Sequence, residues 1–169
     1  MKLPVLNSIE RELERLNHII VKISSFIIIT FMGSMVLILG AQVFTRYVFN
    51  WSIFWNEEFA RYSLLWIIFL ALGIAYEEGQ HINITNFVDA LPKKTRLLVI
   101  LLSELVLIFF LYYMIKYGFS LTAKTFVRGH ISPALRIPMW VAYLSIPVGG
   151  VAMLFQVIQK SIKLVKELI

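Results

Sequence analysis

Acidic side chains within or beside apolar stretches are the residues of this chain that could do chemistry. Glu104 stands in the otherwise charge-free run 97–115. An ionisable residue inside a membrane span is costly and normally has a function, such as carrying a proton or a cation. Coupling of that kind needs a second polar ligand nearby, and Gln42, Ser103 and Gln156 offer few ligand atoms. We therefore weigh proton coupling by Glu104 against a structural role, in which a neutral or paired carboxyl fixes helix packing.

A second acidic group lies at the predicted mouth of an apolar helix. Glu57 and Arg61 are four residues apart, so on a helix they are expected to form an ion pair. Glu58 points about 100° away from that pair and is expected to be free to bind something else. Ion pairs at a rim are individually weak, so the pair is either a satisfied structural contact or a contact with a partner subunit.

Other kinds of chemistry find no support in the residue types. His18, His81 and His130 all fall in flanks or loops, which excludes haem ligation within a span. The chain has no cysteine, no nucleotide-binding glycine loop and no H-E-x-x-H pattern. We expect no enzyme activity, no cofactor and no metal site in this chain. The net charge of +6 suits anionic lipid headgroups, and we expect no nucleic acid partner.

The composition places these residues in a membrane. Hydrophobic residues make up 59% of the 169 residues and charged residues 15%, whereas soluble domains have about 45–50% and about 25%. A bilayer span needs about 20 apolar residues of helix. Such windows predict an all-α integral membrane protein, a single domain over residues 1–169 with four transmembrane helices. The predicted spans are roughly 23–45, 55–77, 97–116 and 137–159.

The flanks of these spans predict an orientation. The first apolar run has 23 residues, which exceeds the roughly 7–15 of a signal peptide, and no A-x-A-like site follows it, so we expect a retained anchor. Lys and Arg number ten on the side that holds both termini and the second loop, against six on the other side. The positive-inside rule then predicts cytoplasmic termini.

An amphipathic segment precedes the first span. Ile9, Leu13, Leu16 and Ile20 recur at helical spacing, while charged residues occupy the other faces. This pattern predicts a helix over roughly 7–20. It either lies along the cytoplasmic interface or extends the first span as a rigid rod.

Small residues on the spans predict contacts with another protein. Gly33 and Gly40 share one face of span one, and Gly149 lies on a small-residue face of span four. Helices in lipid associate through such faces. Span three has a single small residue, Ser103, and is expected to face lipid. Aromatic residues cluster in the first loop, which is typical of an interfacial belt or of a docking surface.

Two segments resemble a known family. The first, residues 46–82, reads RYVFNWSIFWNEEFARYSLLWIIFLALGIAYEEGQHI, and the second, residues 132–149, reads SPALRIPMWVAYLSIPVG. The resemblance is carried by Arg46 and Tyr47, then Trp55, Glu57, Glu58, Ala60 and Arg61, then Gly79 and His81, and by the prolines of the second segment. They resemble the DctQ-like small membrane subunits of tripartite ATP-independent periplasmic (TRAP) transporters. Gln80 and the Glu77–Glu78 pair depart from the basic residue that many relatives carry.

The resemblance implies a division of labour between subunits. In this family a separate large, elevator-type subunit binds substrate and sodium ions, and a soluble periplasmic protein captures the substrate. The substrate is commonly sialic acid or a C4-dicarboxylate, and overall likeness favours sialic acid. The small subunit wraps the large subunit's scaffold. We therefore expect the large subunit, the periplasmic protein and membrane lipids as partners, in a bacterial inner membrane, with sodium held by the large subunit.

The resemblance and the packing faces together nominate functional residues. Candidates for the interface with the large subunit are Arg46, Trp55, Glu57, Glu58, Arg61, Gly33, Gly40 and Gly149. In the basic third loop, Lys124, Arg128 and Arg136 are expected to offer charge to the periplasmic protein.

Two other functions stay open at this stage. The main alternative is an autonomous four-helix carrier in which Glu104 couples protons, as in small drug exporters. The other is an assembly or regulatory factor without a transport role.

Overall fold

The computed structural model describes residues 4–77 and 92–166, and this part of the chain is helical, without strands. The helices are α1 (Pro4–Phe49), α2 (Asn56–Glu77), α3 (Lys93–Val127), α4 (Trp140–Tyr143) and α5 (Ser145–Lys166). Four segments are long and apolar enough to cross a membrane: Glu12–Phe49, Asn56–Tyr76, Leu98–Val127 and Trp140–Ser161. The expectation of an all-α protein with four such helices is confirmed. The fourth segment joins α4 to α5.

Helix α1 is continuous over 46 residues. Residues 7–20 belong to this helix. Their position along the cytoplasmic interface stays a prediction. At 1.5 Å per residue α1 is about 69 Å long, more than twice the roughly 30 Å of a hydrocarbon core. Asn50 ends the helix in a left-handed conformation with φ of 51°, which asparagine tolerates better than most residues. The cytoplasmic orientation of the termini stays a prediction.

The helices share the buried surface unequally. Helix α5 packs against both α2 and α3, whereas α1 packs chiefly against α2. The core lies between α2, α3 and α5, where Tyr76, Leu111, Met153 and Val157 are buried together. In the most apolar 18 residues of the fourth span 44% of the residues are buried, but in those of the first span only 6% are. Few residues of the first span are fully buried, and the side of α1 that faces away from α2 is exposed.

Gly149 allows the closest approach between two of these helices. A Cβ atom at this position would lie 2.4 Å from the carbonyl oxygen of Phe69, inside the contact distance of any real side chain. Gly149 was predicted at a partner interface, and that prediction is wrong because its face is occupied by α2 of the same chain. Gly33 and Gly40 behave oppositely, since a Cβ at either would meet no atom of the described residues within 4 Å.

The opposite behaviour of these glycines makes a testable pair. Gly149→Ala should destabilise the purified chain by about 1–3 kcal/mol, because the methyl group is forced into the backbone of α2. Gly33→Ala makes the same chemical change in open space and should leave the melting temperature unchanged or raise it, since alanine favours helix. Thermal melting in detergent compares the two, and equal melting temperatures would contradict the close contact.

Candidate functional site

One carboxylate ties the start of α2 to the loop that precedes α4. Oε2 of Glu58 accepts hydrogen bonds from the Ser132 hydroxyl, from the Ala134 amide at 2.9 Å and from the Leu135 amide at 2.8 Å. Ser132 itself is only 1% exposed. A carboxylate that accepts several hydrogen bonds, two of them from backbone amides, makes stronger contacts than a neutral acceptor. We call this arrangement, Glu58 with residues 132–135, the Glu58 clamp.

The clamped loop is folded back on itself. Ile131 and Pro138 form an antiparallel bridge, and the Ser132 amide donates to the Ile137 carbonyl at 2.9 Å. Gly129 and Arg136 both have positive φ, 63° and 55°. The left-handed region is costly for a residue with a Cβ, so the loop holds Arg136 in a conformation that its own preferences oppose. The side chain of Arg136 is exposed in this fold.

Glu57, Glu58 and Arg61 do not interact as predicted. Both Glu57 and Arg61 lie in the described part of α2 and are exposed, and no ion pair within 4.0 Å joins them. The prediction that Glu58 is free is also wrong, because the clamp occupies its carboxylate. The two residues that stay available to a partner are Glu57 and Arg61.

The remaining candidates at this end of the bundle are exposed. Arg46 lies in the last turn of α1, where a positive charge complements the helix dipole. Trp55 precedes α2, is 39% exposed and packs edge-on against Phe59, with the ring centroids 6.3 Å apart. Lys124 and Arg128 are exposed at and just beyond the end of α3, beside the clamped loop. Several first-loop aromatics are exposed as well: Tyr47, Phe49, Trp51 and Phe54.

Helix α1 presents a second exposed surface. Gly33 and Gly40 are exposed among large apolar side chains that the other described parts of the chain leave uncovered. These side chains are Phe26, Ile29, Met32, Val36, Leu37, Val43 and Phe44. We call this surface, Gly33 and Gly40 with these seven residues, the α1 face. Small and large residues together on an uncovered helix in lipid suit contact with another helix.

Glu104 is part of the bundle's internal packing. It is only 4% exposed, and its two oxygens accept hydrogen bonds from the Tyr76 hydroxyl at 3.3 Å and from the Ser161 hydroxyl at 2.5 Å. These contacts join α3 to α2 and α5. Neither donor was among the polar neighbours considered from the sequence, since Tyr76 and Ser161 are distant along the chain. Ser103, which was considered, bonds the Val99 carbonyl of its own helix instead.

A family model described as the DctQ component of tripartite ATP-independent periplasmic transporters matches residues 35–167. The chain belongs to this family. The match covers most of the sequence and contains both segments that carry the resemblance.

The relatives of this DctQ-family chain are named for different substrates. It is 32% identical to the sialic acid TRAP transporter small permease protein of Vibrio cholerae, over 94% of this chain and 90% of that protein. It is 33% identical to the ectoine TRAP transporter small permease protein of Halomonas elongata, over 70% of this chain and 64% of that protein. A third relative, the sialic acid TRAP transporter permease protein of Haemophilus influenzae, is 25% identical over 72% of this chain, but the match spans only 20% of that protein.

The fold brings together the two distant segments that carry the DctQ resemblance. Glu58 belongs to the first segment and Ser132 opens the second, and the clamp brings them into contact. Ser132 was not singled out as a site residue. Its position before Pro133 was the available signal, because Ser-Pro favours a turn. Gly79 and His81, which also carried the resemblance, lie outside the described residues.

The Glu58 clamp can be tested through the loop that it holds. Glu58→Ala removes the acceptor of three hydrogen bonds, so the loop should open more often and trypsin should cleave after Arg128 and Arg136 several-fold faster. Glu57→Ala, one residue away and without a clamp contact, is the matched control and should be cleaved at the rate of the unaltered chain. Ser132→Ala should resemble Glu58→Ala. Equal cleavage of all variants would contradict the clamp.

Proposed function

We propose that this chain is the small permease subunit of a TRAP transporter in a bacterial inner membrane, where it binds and stabilises the scaffold of the large, elevator-type subunit. The transporter would take up an organic acid, delivered by a periplasmic binding protein, together with sodium ions held by the large subunit. The observation that carries this proposal is the α1 face, a long apolar surface that the described part of the chain leaves uncovered.

The shape of the bundle supports a partner-binding role. Helices α2, α3 and α5 bury their polar contacts against one another, as at Glu104, so they form a body of their own. Helix α1 adds little to that core and lies chiefly on α2. A helix so placed is available to a second protein, and its glycines allow backbones to approach closely. A large subunit that bound this chain along α1 would have a wider scaffold in the membrane. The part of the large subunit that moves during transport would remain free.

The clamped end of the bundle supports two further contacts. Arg46, Trp55, Glu57 and Arg61 are exposed near the start of α2, where they would meet the outer edge of the large subunit. Lys124, Arg128 and Arg136 are exposed around the clamped loop, where they would attract acidic groups of the binding protein. This assignment places the clamped end on the periplasmic side, in agreement with the predicted orientation.

The names of relatives support the partner and the substrate class. The Haemophilus influenzae permease protein contains a segment similar to this chain within a much longer polypeptide, which suits a small subunit that works beside a large one. Two of the three relatives above are named for sialic acid, and we propose sialic acid as the first substrate to assay. C4-dicarboxylates are the second class to assay.

Substitutions on the α1 face test the assembly. Gly40→Leu fills a space that no other part of the described chain occupies, so the purified chain should melt normally while the yield of its complex with the large subunit falls several-fold. Ser103→Leu is the matched control, because Ser103 is a small exposed residue on α3, away from the proposed interface. Quantitative pull-down from the membrane measures the yield. An unchanged yield with Gly40→Leu, or an equal loss with Ser103→Leu, would contradict the proposal.

Glu104→Gln separates the proposal from the proton-coupled carrier. Glutamine keeps an oxygen that can accept from Tyr76 or Ser161, so a packing role predicts a stable subunit and sodium-driven uptake of sialic acid close to normal in reconstituted vesicles. The carrier alternative predicts transport by this chain alone and its loss in Glu104→Gln. Vesicles that contain the large subunit with or without this chain provide the comparison. Uptake that needs no small subunit would contradict our proposal.

A further inference from the structure

The clamped loop is held at its base as well as at its tip. The ring of Phe126, near the end of α3, packs edge-on against the ring of Trp140, at the start of α4, with the centroids 5.7 Å apart. The Met139 amide donates to the His130 carbonyl at 3.0 Å. These contacts close the base of the loop, and the Glu58 clamp fastens its tip to α2.

Arg136 occupies a backbone position in this loop that glycine would suit better. Its φ is 55°, and its amide donates to the Ser132 carbonyl at 3.1 Å, so the positive φ belongs to the hydrogen-bonded fold of the loop. Gly129 has a similar φ of 63°, but without a Cβ it adopts this conformation at little cost. The same conformation costs an arginine more. The fold of the loop therefore does not explain the arginine at position 136.

The side chain of Arg136 is directed to the outside of the bundle. It is exposed, and no ion pair within 4.0 Å joins it to an acidic residue in the described part of the chain. Glu58, which fastens the loop, gives its Oε2 atom to Ser132, Ala134 and Leu135 instead. A residue that is held in a costly conformation points to a function, and here the function lies outside the chain.

Two neighbouring cations lie on backbone of ordinary conformation. Lys124 belongs to the last turn of α3, and Arg128 caps that helix with a φ of −74°. Exposed cations attract anionic lipid headgroups whatever their backbone conformation, so a costly conformation is not needed for lipid. A folded protein has acidic groups in fixed positions. An arginine guanidinium binds such a carboxylate through two parallel hydrogen bonds, which require the two groups to be aligned.

We propose that Arg136 determines the docking of the periplasmic binding protein, because the Glu58 clamp holds its guanidinium in position to pair with a carboxylate on that protein's surface. This inference rests on the proposed function, in which the clamped end faces the periplasm. Glu58 and Ser132 are positioning residues, since they hold the loop and do not touch the partner. A loop that is already held loses less entropy on docking. Lys124 and Arg128 add a general attraction, which affects the rate of association more than the affinity.

Substitution by glycine separates the backbone of Arg136 from its side chain. Arg136→Gly removes the cost of the positive φ, so the purified chain should melt at the same temperature or a higher one, and trypsin should cleave after Arg128 no faster than before. The same variant should weaken docking roughly tenfold, as the loss of a charge-assisted pair predicts. Docking is measured as the Kd of the periplasmic protein for the complex of small and large subunits, in phosphatidylcholine nanodiscs with and without phosphatidylglycerol.

Further variants distinguish Arg136 from its neighbours. Lys124→Gln removes one positive charge from regular helix and should weaken docking twofold at most. Arg136→Lys keeps the charge without the two parallel hydrogen bonds and should restore part of the affinity. Glu58→Ala should weaken docking several-fold. Glu58→Ala combined with Arg136→Gly should bind no more weakly than Arg136→Gly alone, because the clamp acts through the arginine.

The outcomes separate this inference from the proposed function. Normal docking or a lower melting temperature in Arg136→Gly, an equal loss in Lys124→Gln, or a double variant whose loss is the product of the single losses would each overturn the role of Arg136. A loss seen only in nanodiscs with phosphatidylglycerol would overturn it in favour of anionic lipid headgroups. If the unaltered complex does not bind the periplasmic protein at all, the proposed function fails, and this inference fails with it.

Discussion

The rest of the structure depends on the hydrogen bonds that carboxylate groups accept inside or beside the membrane. Oε2 of Glu58 accepts three hydrogen bonds from one loop, and these contacts hold together two segments that are more than 70 residues apart. A carboxylate that accepts hydrogen bonds from several donors is held more firmly than one with a single donor. These hydrogen bonds hold the loop before α4 in a fold in which Arg136 adopts a conformation that residues with a Cβ normally avoid.

A second carboxylate performs a similar task at the opposite end. Glu104 joins α3 to α2 and α5 through Tyr76 and Ser161, so the three helices are linked by hydrogen bonds as well as by close packing at Gly149. Both carboxylates are used inside the chain. The bundle of α2, α3 and α5 is consequently suited to support α1, whose exposed face is the surface that we propose for contact with the large subunit.

The first and third spans have the fewest buried residues, and the first span, on α1, has the fewest of all. The same residue type, glycine, has opposite roles at Gly149, which packs within the chain, and at Gly40, which is open. This difference separates the surface that builds the subunit from the surface that is available to a partner.

The sequence by itself determined the membrane location, the four spans and the family. The length of an apolar run and the order of the two family segments along the chain can both be read without knowing which residues come into contact. It also identified Glu104 as unusual, since a charge in an apolar run is visible without a structure. Only the tertiary structure decided which groups of the chain contact these side chains. The prediction of a Glu57–Arg61 pair used helical spacing alone, which cannot include the loop at residues 132–135 that takes the Glu58 carboxylate. Small residues likewise indicate that a helix packs closely, but whether the neighbour belongs to the same chain, as for Gly149, depends on which helices the fold brings together.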